Sequence, residues 1–172
     1  MKKSVINLLG GLFGVISLFL GFSTLGLKFS DAIPEAVREA TKAAAAEGGK
    51  LNITFFEYIG DFRNNAPSPT FWSILSAVFV VVSIICVSTL LVVGLIATIR
   101  NNKRISEAMM TKWVSVSAFV FLGVALAIGL IFPNYPPVEN NAFEYTATIG
   151  LGSIIFLIAT AACSVLNFTI KE

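Results

Sequence analysis

The chain has 172 residues, 56% hydrophobic and 13% charged, with a mean hydropathy of +0.84. A typical soluble domain carries about 25% charged residues, so the composition excludes a soluble or a disordered chain. The net charge of +2 offers no field for nucleic acid, and the absence of histidine removes the usual haem ligand, most zinc and copper sites and the commonest general base.

What remains is an all-α integral membrane protein, and its charges divide it. Four stretches lack Asp, Glu, Lys and Arg: Val5 to Leu27, Phe71 to Ile99, Trp113 to Phe132 and Tyr145 to Ile170. Each reaches the length of about 20 apolar residues that crosses a bilayer core. All the prolines fall between them, where a missing N–H does no harm. The pattern predicts a four-transmembrane-helix bundle. A larger first outer loop covers 28–70, a basic cytoplasmic loop 100–112 and a short outer loop 133–144.

In the first span Gly10, Gly14, Ser17, Gly21 and Thr24 recur three or four positions apart. Such a stripe lets another backbone come close, within the bundle or in a partner. Lys2 and Lys3 before an apolar run also resemble a signal peptide, with Gly21 and Ser23 ahead of its cleavage site. The run continues past that site, so a retained helix is expected.

In the first loop, residues 31–47 predict a short helix. Asp31 is its cap, Pro34 sits in its first turn and Gly48 at its end. Glu39 and Lys42 can pair, and Ile33, Val37, Ala40 and Ala44 share a weakly apolar face. In Leu51 to Tyr58, Leu51, Ile53 and Phe55 then alternate with Asn52 and Thr54, which predicts one short strand or a segment lying along the membrane surface. A lone strand needs a partner, so Leu51, Ile53 and Phe55 are candidate contacts within this loop or with another chain. Asn52-Ile53-Thr54 is also a formal glycosylation sequon. Residues 59–70 read as a turn-rich return with Gly60, Asn64, Asn65, Pro67 and Pro69.

Basic residues set the orientation. Arg100, Lys103, Arg104 and Lys112 crowd one short connection, Lys2, Lys3 and Lys171 lie at the termini, and the connection from 133 to 144 has none. The positive-inside rule therefore puts both termini in the cytoplasm. Phe71, Trp72, Tyr135, Phe143 and Tyr145 serve as outer interface anchors and Trp113 as an inner one.

The spans carry no ionisable carboxylate, amine or guanidinium, which argues against a proton relay or voltage sensor. Cys86 and Cys163 read as small buried residues. Ser73, Ser76, Ser83 and Ser88 run along the second span, and Asn7 and Asn167 lie at similar depth, able to bond each other. No phosphate-binding loop, metal cluster or nucleophile–base pair appears, so no enzyme, cofactor or metal is expected.

In outline this layout is similar to tetraspan proteins of the claudin type. The claudin pattern of a Trp, a Gly-Leu-Trp and two Cys is missing from the first loop, and so is the tetraspanin Cys-Cys-Gly motif. The outline implies adhesion, junction or assembly by analogy of fold alone. The expected function is a non-catalytic tetraspan of the cell membrane, bathed in membrane lipid and acting through other membrane proteins or itself. It would be an accessory subunit or a lateral assembly or adhesion factor. The alternative is a pore or transporter for a neutral or lipidic solute along the serine row.

Overall fold

The computed structural model describes residues 3–29, 33–47, 52–64, 71–100, 109–131 and 143–170. Its elements in chain order are α1 (Lys3–Ser17), β1 (Gly21–Phe29), α2 (Glu35–Glu47), β2 (Asn52–Thr54), α3 (Phe55–Asn64), α4 (Phe71–Ile99), α5 (Met109–Ile131), β3 (Phe143–Ile149) and α6 (Leu151–Thr169). The chain is mostly helical. Three helices, α4, α5 and α6, are long and apolar enough to cross a membrane, and α1 is a shorter apolar helix.

These four helices form a ring in which α1 touches α4 and α6, and α5 touches the same two. Neighbours run antiparallel. Gly10 and Gly14 of α1 meet Cys163 of α6 and Val87 of α4, Phe79 stacks on Phe121 of α5, and Trp113 meets Phe168 edge-on at 6.4 Å. The buried core runs along the ring axis through Val80, Val87, Ala118, Leu122, Ala125 and Phe156. Apolar side chains also cover the outward faces, among them Ile85, Val92, Leu130, Ile158 and Val165. A helix apolar all round has hydrocarbon, not water, as its surroundings.

Two expected spans are shorter than their charge-free stretches. α1 ends at Ser17, and residues 21–27, expected as the end of the first span, form β1 together with Lys28 and Phe29. Tyr145 to Ile149, expected at the start of the fourth span, belong to β3, and α6 begins at Leu151. The reason lies in the residues. Leu25, Leu27 and Phe29 alternate with Thr24, Gly26 and Lys28, and Phe143, Tyr145, Ala147 and Ile149 alternate with Glu144, Thr146 and Thr148. That is the two-residue period of a strand. The two strands pair antiparallel without a break, from Ser23 opposite Ile149 to Phe29 opposite Phe143. β2 adds to the other edge of β1, giving the order β2-β1-β3.

The predicted strand is thus real but short, and its partner is β1, which had been expected to be helix. After Thr54 the chain turns at once into α3, in place of the expected turn-rich return. A Thr-x-x-Glu capping box starts this helix. Thr54 donates its backbone N–H and its hydroxyl to one Glu57 carboxylate oxygen, at 2.8 and 2.9 Å, and its hydroxyl oxygen accepts the Glu57 N–H at 3.2 Å. Those bonds, backbone first, hold the Glu57 carboxyl below its ordinary 4.5 despite slight burial. A depressed carboxylate stabilises the fold above the pKa of the unfolded chain. That contribution disappears as pH falls through the lower folded value, so α3 should loosen only below pH 4.5. Thr54→Ala should cost about 1 kcal/mol and weaken this acid dependence without abolishing it, because the backbone N–H at 54 still reaches Glu57, as read by thermal melts at stepped pH.

α2 starts at Glu35, directly after Pro34, whose carbonyl accepts the N–H groups of Val37 and Arg38. The expected pair forms, with Lys42 Nζ 3.3 Å from Glu39, on an exposed surface. Val37 is half exposed, so the weakly apolar face is not a buried one. Asp31 and Gly48 lie outside the described residues.

Candidate functional site

The sheet and α3 lie at one end of the ring, and Lys3 and Ile170 at the other. The junction between this cap and the helices is the best-defined site outside the helix contacts. It is built on a bulge. Gly21 faces Thr54 and Ser23 faces Ile53, so Phe22 is an extra residue in β1. The bulge turns Phe22 into the core, where its ring lies 4.9 Å from Phe55 and 4.4 Å from Tyr58. Phe55 in turn stacks on Phe156 of α6 at 5.9 Å. Phe55 and Phe156 are fully buried and Phe22 nearly so. An aromatic cluster drawn from β1, α3 and α6 therefore plugs the mouth of the ring.

Polar bonds fix the plug. The Phe22 carbonyl accepts the Gly150 N–H at 3.0 Å and the Ser153 hydroxyl at 2.7 Å, which ties β1 to the start of α6. Glycine is required there, because a methyl on Gly150 would fall 2.6 Å from the Gly21 carbonyl carbon. On the other side Ser76 donates to the Ala125 carbonyl at 2.9 Å, so its one proton is spent. Tyr58 therefore donates to Ser76, at 2.8 Å. Burial pushes the Tyr58 hydroxyl above its usual range, and the Ser76 bond partly offsets this. Tyr58→Phe should cost about 0.5–1.5 kcal/mol in a thermal melt, the net value of one such bond, because Ser76 keeps its acceptor.

The structure sorts the sequence-derived residues differently from their spacing. Gly10 and Gly14 face α6 and α4, while Ser17 is buried and donates back to the Gly14 carbonyl at 2.6 Å. Gly21 and Thr24 stand on β1, opposite Thr54 and Thr148, and belong to no helix stripe. The unremarked Gly11 and Gly94 make the closest approaches between α1 and α4, to the backbones of Leu91 and Leu8. The glycine stripe is thus an internal packing surface. Phe55 is not an exposed partner contact but the centre of the plug. Ile53 is half-buried in β2, and Leu51 lies outside the described residues.

Arg100 is exposed just after α4, and Lys112 lies 5.5 Å over the Phe168 ring at the termini end. Lys103 and Arg104 lie outside the described residues. Serine hydroxyls along the ring turn to carbonyls: Ser83 to Val80, Ser115 to Lys112, Ser76 to Ala125. Asn167 donates to Asn7 at 2.7 Å, as the shared depth of the two residues led one to expect. Cys163 is buried beside them and Cys86 is half-buried.

Among the described residues no three His, Cys, Asp or Glu side chains converge. A crevice of about 30 Å³ lies beside the plug, lined by Tyr58, Leu126, Gly129 and Ile149 among others. It has room for about one water. Compared with known protein families, curated proteins and solved structures, the chain matches none.

Proposed function

We propose that the chain is a four-span protein of the cell membrane with both termini in the cytoplasm, and that it works through protein contacts and not through catalysis. It serves as an accessory subunit of a membrane complex or as a lateral assembly or adhesion factor. α1 is the fourth span. It lies alongside α4 and α6, and its free face offers Leu9, Leu12, Phe13 and Ile16 outward, as lipid requires. At about 1.5 Å per residue its 15 residues reach about 22 Å, and the turn at 18–20 extends it. Arg100 and Lys112 mark the end of the ring that holds the termini, so the cap faces outward.

One observation carries the functional reading. Inside the ring the hydroxyls of Ser76, Ser83, Ser115 and Thr160 are spent on carbonyls and the one buried amide pair, Asn7–Asn167, is closed on itself with an unmet atom on each side, which leaves recognition to the cap. The same bonding withdraws support from a serine-lined pore. Within the cap, β2 is a three-residue edge strand in which Ile53 is half-buried.

The test is purification of the full chain from its native source in mild detergent, with quantitative mass spectrometry of whatever accompanies it. A stoichiometric membrane protein should co-purify with the wild type. It should be lost from Ile53→Lys, with the melting curve kept. Wild-type chain recovered alone, or a partner indifferent to Ile53→Lys, would sink this reading.

A further inference from the structure

At the termini end, α1 meets α6 through a polar cluster enclosed by apolar packing. Asn167 Nδ2 donates to Asn7 Oδ1 at 2.7 Å and also lies 3.4 Å from Cys163 Sγ. The Cys163 thiol points at the Asn7 side-chain oxygen and at the Ile6 carbonyl, at 3.6 and 3.8 Å. Both amides are buried, at 0% and 1% exposure. Each is only half satisfied, because Asn7 Nδ2 and Asn167 Oδ1 have no hydrogen-bond partner in the protein. Gly10 sits one turn along, where an added methyl would fall 2.8 Å from Cys163 Cβ.

A half-satisfied buried pair is a poor source of net stability, since its unmet atoms cost about as much as its bond returns. Its alternatives are far worse. If α1 slid by one turn, about 5.4 Å, Asn7 Oδ1 and Asn167 Nδ2 would lose their partners too, and all four amide atoms would stand unmet in apolar surroundings. Glycines alone do not set this register. Of the glycines of α1, Gly10 faces α6 while Gly11 and Gly14 face Leu91 and Val87 of α4, and α1 is too short for its apolar length to set its depth.

We propose that the Asn7–Asn167 pair is a register latch: it selects the one vertical position of α1 against α6 and adds little to global stability. A lone buried asparagine fixing register in coiled coils follows the same logic. The inference concerns the helices alone and stands or falls independently of any partner of the cap.

The test uses the full chain in mild detergent with Cys86→Ser, which leaves Cys163 as the sole thiol. Asn7→Ala, Asn167→Ala and the double variant are compared by melting temperature and by the rate at which a fluorogenic maleimide labels Cys163 well below the melt. Each single variant strands one amide, so the double variant should melt no lower than the worse single one. In all three, α1 leaves its register, Gly10 no longer covers Cys163, and labelling should accelerate about tenfold or more through local opening. Additive losses in melting temperature would overturn the proposal, because the two amides would then act independently and not as a pair. Wild-type labelling in the double variant would overturn it as well, because the glycines would then hold register unaided. Failure of the double variant to fold would count against it too, since packing without the latch is meant to suffice for folding.

Discussion

Phe55→Ala should be the most damaging truncation in the cap, lowering the unfolding free energy by about 3–5 kcal/mol, the range for deleting a buried aromatic ring. The ring is fully buried, and it is shared by three elements: its own α3, Phe22 of β1 at 4.9 Å and Phe156 of α6 at 5.9 Å. Its removal leaves a hole that cannot close, because the Phe22 carbonyl is pinned to α6 by the Gly150 N–H and the Ser153 hydroxyl. The defect should be local first. Limited proteolysis ought to cut α3 and the preceding loop at temperatures where the membrane helices remain folded. The neighbouring Phe56→Ala serves as the control. Phe56 is about half exposed and its ring pairs with the exposed ring of Phe19, so its loss should cost well under half as much. Equal melting temperatures for the two variants would show that the plug does not couple cap to bundle.

Gly94→Leu should detach α1 from the ring. An added Cβ at Gly94 falls 2.7 Å from Leu8 Cα and 2.8 Å from the Asn7 carbonyl carbon, and one at Gly11 falls 2.5 Å from Leu91 Cα. These neighbours are backbone, so no side-chain rotation relieves them and the helices must part. Overpacking of this kind costs about 1–3 kcal/mol where neighbours can shift, and the upper end or beyond is expected here. Gly123→Ala is the contrasting case: nothing lies within 4 Å of its added methyl, and the substitution should stabilise α5 by about 0.5–1 kcal/mol. Thermal melts of the two variants should therefore move in opposite directions. A harmless Gly94→Leu would mean that α1 does not seat against α4. The same geometry redirects Gly14→Leu, which spacing alone would offer as a probe of a partner. Gly14 meets Val87 of its own chain, so that substitution reads folding and not association.

The membrane character of the chain and three of its long helices were legible because charge is a sharp signal. A stretch that must cross lipid cannot carry it, and so α4, α5 and most of α6 stand out. The strands at the span ends were concealed by the same signal. Residues 21–27 and 145–149 lack charge, yet their period is two and not 3.6, and absence of charge cannot tell a lipid-buried helix from a paired strand. α3 was announced by Thr54-Phe55-Phe56-Glu57, a capping box that the turn-forming residues after it outweighed. The Asn7–Asn167 contact was within reach of the sequence, because depth in the bundle limits the partners a buried amide can find.

The sequence by itself determined what the surroundings must be: hydrocarbon around the helices, an excess of basic over acidic residues at one end, and no carboxylate, amine or guanidinium within the spans. Those are properties of composition along a line, and a line is enough to define them. Only the tertiary structure decided who touches whom. It spent the glycines of α1 inside the chain, drew Phe55 from a presumed surface into the plug, and joined β1, β2 and β3 through partners up to 126 positions apart, Ser23 and Ile149. Such pairings depend on which surfaces meet after the chain folds back on itself. Packing energy is a property of pairs brought together in space, and no local pattern in one segment names its partner.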